Sequence, residues 1–359
     1  MRVRTTRFLS VAAVVTGTSL VLAANAYAVP GPDTNPEVIA AVGSDTTFTV
    51  DNAIFAAANS AAVNTDPDNY VNVPPVLASG TSFAVPGDIF DAGRTYTNPG
   101  NLPPDGSGAG KTALANSAAI PDGAIDIARS SSPRGAGDPA TFQYFGYAKD
   151  GVSWAASAAG AGAGVTLTLA QLKGIYDGSI TNWSQVGGAS APISVYLPQV
   201  GSGTLSFFTG TVLGFDPTTK PVTIHRFQEN DATSITAGDQ ASAIAPFSVA
   251  QWVAQGNSVV TDKRAGFFEG TLTGAGSDGA PVSGSAGAYV PAFLDAFVGA
   301  RTVYHVLDTR SPSYGAALNV VGFDSAGPSA LCNGDLAATL TSFGFKPLPS
   351  NGGVFCTQE

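Results

Sequence analysis

The sequence predicts an α/β protein, and three observations predict it. The run VIAAVG at residues 38–43 turns through GSDTTF into the helix-like stretch that ends at Val63. The run ISVYL at 193–197 does the same through PQVGSGTLSFF at 198–208. Further on, helix-like and strand-like segments keep alternating, as in LTLAQLKGIYDG, VTIHRF and TVYHVLD. Apolar runs that change from strand to helix periodicity across a glycine turn are the mark of strand–helix units.

Composition sets the bounds. The chain has 359 residues, 44% of them hydrophobic, enough for one large or two medium domains. Its formal net charge is −10, which excludes a general nucleic-acid binder, because such affinity rests on neutralising phosphates with lysine and arginine. An anion must therefore be held locally, by amides, hydroxyls and an isolated cation. Residues 1–28, with MRVRTTR, an apolar middle and AYA at Ala26–Ala28, read as a signal peptide. No later segment is apolar for long enough to span a bilayer, and no cysteine follows the cleavage site to carry a lipid anchor. A secreted or periplasmic protein is expected. Its two cysteines, Cys332 and Cys356, are expected to form one disulfide in such a compartment.

In chain order, the GSDTTF turn places Thr46 and Thr47 where hydroxyls and free helix amides could hold an anion, or where Asp45 or Thr46 simply caps the helix. Residues 64–105 are rich in Pro, Asn, Asp and Gly and suggest a strand or two in long loops. PPDGSGAGKTAL resembles a phosphate-binding P-loop, but that motif needs a glycine where Asp105 stands. What remains is Ser107 at a positive helix end. AIDIA then runs as a strand into three serines, Ser130–Ser132, flanked by Arg129 and Arg134. A helix started by Thr168 should end at Asp177–Gly178. In the GSGT loop, Gly201 and Gly203 allow a sharp turn, and Ser202 and Thr204 put hydroxyls beside a helix start. Later segments give a helix from about Ser206 to Leu213, a helix-like SAIAPFSVAQWVAQG, a helix-like PAFLDAFVGA, a strand TVYHVLD and a helix over 312–321.

The segment LTLAQLKGIYDGSITNWSQVGG followed by ISVYLPQVGSGTLSFF resembles the second lobe of the phosphate-binding receptors of ABC transporters. GSDTTF, DGSGAGKTAL and IDIARSSSPR resemble the anion-contacting loops of that family's first lobe, and SAIAPFSVAQ its later strand. The resemblance implies a two-lobed periplasmic-binding-protein-like (type II) fold with a ligand cleft, closing like a hinge. Lobe 1 is expected to comprise 29–147 and 259–359 and lobe 2 to comprise 148–258, with crossings near Phe145–Val152 and Ala254–Thr261. The implied ligand contacts are Thr46, Thr47, Phe48, Ser107, Ser131, Ser202, Gly203 and Thr204. Ser131 stands where the family has an aspartate that accepts the proton of hydrogen phosphate, and Pro198 and Val200 stand where it has an arginine and its aspartate partner. Arg129 or Arg134 would have to supply the cation, and discrimination between phosphate and sulfate is expected to weaken. Asp45 is the candidate for a substitute carboxylate.

The function implied is that of a non-enzymatic extracytoplasmic solute-binding protein for a small oxyanion, phosphate first, working as a monomer without cofactor or metal and delivering to an ABC permease. A surface or adhesive protein that keeps the fold but has lost the ligand is the alternative, since fold does not fix function. A secreted serine hydrolase is disfavoured: there is no GxSxG elbow, and only His225 and His305 could act as base.

Overall fold

The computed structural model describes residues 37–60, 68–119, 123–276 and 279–359. The signal-peptide segment lies outside the described residues. The first half of the chain contributes β1 (Val38–Gly43), α1 (Asp45–Ala58), β2 (Asn69–Asn72), the hairpin β3 (Ser82–Val85) and β4 (Arg94–Thr97), α2 (Ser107–Ala119), β5 (Ile127–Ser130) and the long β6 (Phe142–Ser157). Then follow β7 (Leu167–Thr168), α3 (Leu169–Asp177), β8 (Ser194–Pro198), α4 (Gly203–Phe207), β9 (Ile224–Phe227), β10 (Ala243–Ser248) and α5 (Val249–Gly256). Short strands β11 (Phe267–Glu269), β12 (Leu272–Thr273), β13 (Val282–Ser283) and β14 (Val290–Pro291) lead to β15 (Ala300–Asp308) and α6 (Tyr314–Val321).

The main sheet runs β2-β1-β5-β15-β6-β10-β8-β9. Its two flanks are parallel, β2-β1-β5 on one side and β10-β8-β9 on the other. Between them β15 and β6 pair antiparallel to each other and to the flanks. A ligand in an open parallel sheet binds outside the carboxyl ends of its strands. Here two such ends, one in each flank, are available.

Burial follows the same division. Every residue of β1 is buried, as a parallel strand covered on both faces requires. Ile39 and Ala41 join a core with Phe55, Phe145, Val303 and Val321, while Val38, Ala40 and Val42 join one with Leu114, Ile125 and Val306. Alternate side chains leave opposite faces of a strand, so one apolar run serves both. The other flank packs around Trp154, Tyr176, Trp183, Phe208 and Phe247. In β6 the chain passes from Ala148 in one core to Val152 in the other. In β15 it passes back, from Ala300 against the second core to Val303 in the first. The segment 259–300, which the sequence places with the first lobe, buries Phe267, Leu272, Phe293 and Phe297 in the core of Trp154.

Local signals explain several boundaries. Thr168 and Gln171 form a capping box at the start of α3, and Gly178 closes it in the left-handed conformation at φ 85°. SAIAPFSVAQWVAQG splits into β10 and α5, because Ser248 caps a helix by accepting from Gln251 N. PAFLDAFVGA is not a helix: after β14 it turns, with Phe297 N donating to Leu294 O at 3.0 Å, and its phenylalanines meet the core from that turn. Apolar spacing alone did not distinguish the two.

Cys332 and Cys356 are bonded and both lie in the core of Phe145. The bridge closes a loop of 24 residues in sequence separation, and chain-entropy arguments give about 3 kcal/mol for a loop of that size. Replacing both cysteines by alanine is expected to lower the unfolding free energy by about that amount. Urea titration of the double variant measures it, and an unchanged midpoint would refute the estimate.

Candidate functional site

The carboxyl ends of the parallel strands bring hydroxyls together. After β1 come Ser44 and Thr46, after β5 Ser131, after β8 Ser202 and Thr204, and Ser107 begins α2; all are buried. Ser44 Oγ donates to Ser131 Oγ at 3.1 Å, Ser107 and Ser131 hydroxyls lie 3.3 Å apart, and Ser131 N donates to Ser107 Oγ at 2.9 Å. The Thr46 and Thr204 hydroxyls lie 3.3 Å apart, and both donate to Glu229 Oε1. The cluster thus joins residues that belong to both flanks of the sheet.

Its cation is Arg301, the second residue of β15. Arg301 Nη2 donates to Thr204 Oγ1 at 2.9 Å and Thr46 Oγ1 at 3.3 Å, and Nη1 donates to Ser131 O at 3.0 Å. Its partner is Asp150 in β6, which stands opposite Arg301 in the strand register and accepts from Nη2 at 2.8 Å and Nε at 3.1 Å. Asp150 also accepts from Ser248 Oγ and from Ala250 N in the first turn of α5. Both side chains are buried, so the charges are tolerated because each is paired and hydrogen-bonded.

A carboxylate is present as well. Glu229 follows β9 and is 1% exposed, and its second oxygen, Oε2, has no hydrogen-bond partner. Gln199 Oε1 fixes its backbone by accepting from Glu229 N at 2.8 Å. With Arg301 balanced by Asp150, Glu229 Oε2 is left as an acceptor without a donor.

The expected contacts divide on this geometry. Thr46, Ser107, Ser131, Gly203 and Thr204 come together. Ser202 caps α4, its Oγ accepting from Leu205 N at 3.0 Å. Thr47 faces the Tyr147 phenol. Arg129 is fully buried under the first loop and donates to the carbonyls of Ala41 at 2.8 Å, Val73 at 3.0 Å and Ser44 at 3.3 Å, with the Phe48 ring over its guanidinium. It holds the loop rather than reaching the hydroxyls. Arg134 lies over the Tyr144 ring and donates to Phe142 O. Asp45 does not touch the hydroxyl cluster but lies near Glu229 and Asp105. Sequence reasoning missed Arg301, Asp150 and Glu229. The signal open to it was Asp150 and Arg301 as charges inside apolar strands, which need partners.

The flanks approach closely at Gly203, since a Cβ there would overlap the Ser107 and Ser131 hydroxyls. Overpacking of this kind costs about 1–3 kcal/mol, so Gly203→Ala is expected to weaken ligand binding roughly tenfold or more with the fold retained. Calorimetry with circular dichroism as the fold control checks it; unchanged affinity would show that this contact does not form in the bound state.

Above the cluster, amides bridge the flanks. Gln199 Nε2 donates to Asp105 Oδ1 at 3.0 Å, and Gln228 Nε2 donates to Asp105 Oδ2 at 3.2 Å and Asp45 Oδ2 at 3.5 Å. Burial, then Glu229 and Asp105, push the Asp45 carboxyl up to about 8, against Asn230 and Lys263. Burial and Glu229 push Asp105 up to about 6, against Gln228, Gln199 and Arg129. A carboxyl raised on folding binds more protons folded than unfolded, so its contribution is fully present below the unfolded pKa near 3.8 and is lost as pH rises through 6 and 8. Asp45→Asn is expected to flatten the fall of stability between pH 4 and 8, as followed by urea unfolding at several pH values. Parallel pH profiles for wild type and variant would contradict it.

The family model described as PBP superfamily domain matches residues 34–306. No curated protein matches the chain. Among solved structures, an ABC-type phosphate transport receptor from Vibrio cholerae is similar at 17% identity and a TM-score of 0.50, covering 87% of this chain and all of that one. A substrate-binding protein from Clostridium perfringens with bound phosphate is similar at 18% identity and a TM-score of 0.51, with the same coverage. At such identities the likeness is one of fold.

Proposed function

Since the chain belongs to the PBP superfamily, we propose that it is a non-enzymatic, extracytoplasmic solute-binding protein that captures a small oxyanion, inorganic phosphate first, for uptake by an ABC permease. The observation that carries this is the convergence of Ser44, Thr46, Ser107, Ser131 and Thr204 with Arg301 at the carboxyl ends of two parallel flanks. Hydroxyls and a guanidinium are donors that suit a tetrahedral oxyanion. Glu229 Oε2 would accept the proton that hydrogen phosphate carries and sulfate lacks, taking the part expected of an aspartate at position 131. The two flanks with the cores packed on them would act as lobes, closing about β6 and β15, and the mature protein as a monomer.

Support for the location comes from the basic head and apolar middle of the leader and from the disulfide. Among the described residues no helix is long and apolar enough to cross a membrane. Calorimetric titration with phosphate, arsenate and sulfate from pH 5 to 9 tests the proposal. Phosphate and arsenate should bind and sulfate should bind much more weakly; no heat with any of the three would favour the surface-protein alternative.

A further inference from the structure

Beside the hydroxyl cluster lies a cavity of about 440 Å³, lined from one flank by Asp45, Phe48 and Val76 and from the other by Glu229, Asn230 and Lys263, among others. Pockets of roughly 300–1,000 Å³ take small organic ligands, so this is more room than one tetrahedral anion needs. Cavity and cluster share a wall: Thr46 Oγ1 donates to Glu229 Oε1 and accepts from Asn230 Nδ2 at 3.3 Å.

The amide and ammonium donors of the cavity are already engaged. Gln251 Nε2 donates to Thr46 O at 2.6 Å and Thr49 Oγ1 at 3.0 Å, Gln255 Nε2 donates to Asn230 O at 2.9 Å, and Lys263 pairs with Asp231 at 3.0 Å. What is left is acceptor. Glu229 Oε2 is buried without a partner, and Asp45 meets Gln228 Nε2 at 3.5 Å and Asn230. Lys263, the cation of this cavity, is held by Asp231, so the carboxyl groups of Asp45 and Glu229 can take a ligand group with several N–H donors and a positive charge, which an ammonium supplies. Pro75, Val76 and Val260 give an apolar wall for a short aliphatic stem.

We propose that this cavity is a subsite for a primary ammonium group, and that the preferred ligand is a phosphomonoester carrying one on a short linker. The proposal rests on the oxyanion reading, with the phosphoryl group at the hydroxyls and Arg301 and the ammonium between Asp45 and Glu229, whose Oε2 accepts from the ammonium where with inorganic phosphate it accepts from the P–OH. Asp45, raised to about 8 by burial and by Glu229 and Asp105 and opposed by Lys263, would ionise when the ammonium arrives, so binding at pH 7 should release a proton.

Calorimetry at pH 7 with inorganic phosphate, ethyl phosphate, 2-hydroxyethyl phosphate and 2-aminoethyl phosphate tests it, in two buffers of different ionisation heat. Hydrogen bonds to charged groups predict that the aminoethyl ester binds about tenfold or more tightly than the other two esters, with proton release, and that Asp45→Asn removes most of the advantage. Equal affinities for the three esters, with phosphate still bound, overturn the subsite and leave the oxyanion reading intact. An advantage that survives Asp45→Asn also overturns it. Failure of all four ligands to bind overturns both.

Discussion

Replacing Glu229 by glutamine is expected to narrow the preference for phosphate over sulfate by about 10- to 100-fold. In the wild type, Thr46 and Thr204 donate to Oε1, leaving Oε2 buried and unpartnered. Hydrogen phosphate can donate a proton to it. Fully ionised sulfate can only present another oxygen, and an unmatched buried polar group costs about 1–3 kcal/mol, more when charged. Each 1.4 kcal/mol is about tenfold in affinity. Glutamine keeps an acceptor for the two threonines, offers N–H donors in place of Oε2 and removes the charge, so sulfate should gain most. Calorimetry of both proteins with both anions reads the ratio directly. A wild type that binds the two anions equally would deny Glu229 this part.

The second large effect is on stability. Asp150→Ala would leave the Arg301 guanidinium buried without its carboxylate, and breaking a buried pair by removing one partner costs about 3–5 kcal/mol. Exchanging both for apolar residues of similar size, Asp150→Leu with Arg301→Met, is expected to recover most of that loss, because no uncompensated charge remains. The double variant should still fail to bind oxyanions, having lost the guanidinium that reaches Thr46, Thr204 and Ser131. Urea unfolding and calorimetry on the same samples separate the two effects. Full anion affinity in the double variant would show that Arg301 serves stability alone.

The contrast between Thr204 and Arg301 shows what could be read from the sequence. Thr46, Ser107, Ser131 and Thr204 all follow a local signal, a glycine or serine turn at the end of a strand or the start of a helix, and the chemistry of such a turn needs only neighbours in sequence. Arg301 and Asp150 have no such signal. They meet because β15 pairs with β6 in one register out of many, and 151 positions separate them. Arg129 misled for the complementary reason: it sits beside the serines in sequence, but at the end of β5 its side chain turns under the first loop and is taken up by carbonyls of Ala41 and Val73. Periodicity had a similar limit at Phe293 and Phe297, where helix-like spacing is satisfied by a turn into the core. The disulfide was legible because two cysteines in an oxidising compartment leave one pairing.

The central claim is that the hydroxyls, Arg301 and Glu229 form one oxyanion site. A crystal structure of the protein grown with millimolar phosphate and no sulfate tests it most directly. The expected result is a phosphate within hydrogen-bond distance of the Ser107 and Ser131 hydroxyls and of Arg301, with one of its oxygens about 2.6 Å from Glu229 Oε2, a separation usual for a charge-assisted O–H···O bond. A phosphate bound elsewhere, or a cluster unchanged and unliganded at saturating phosphate, would contradict the claim.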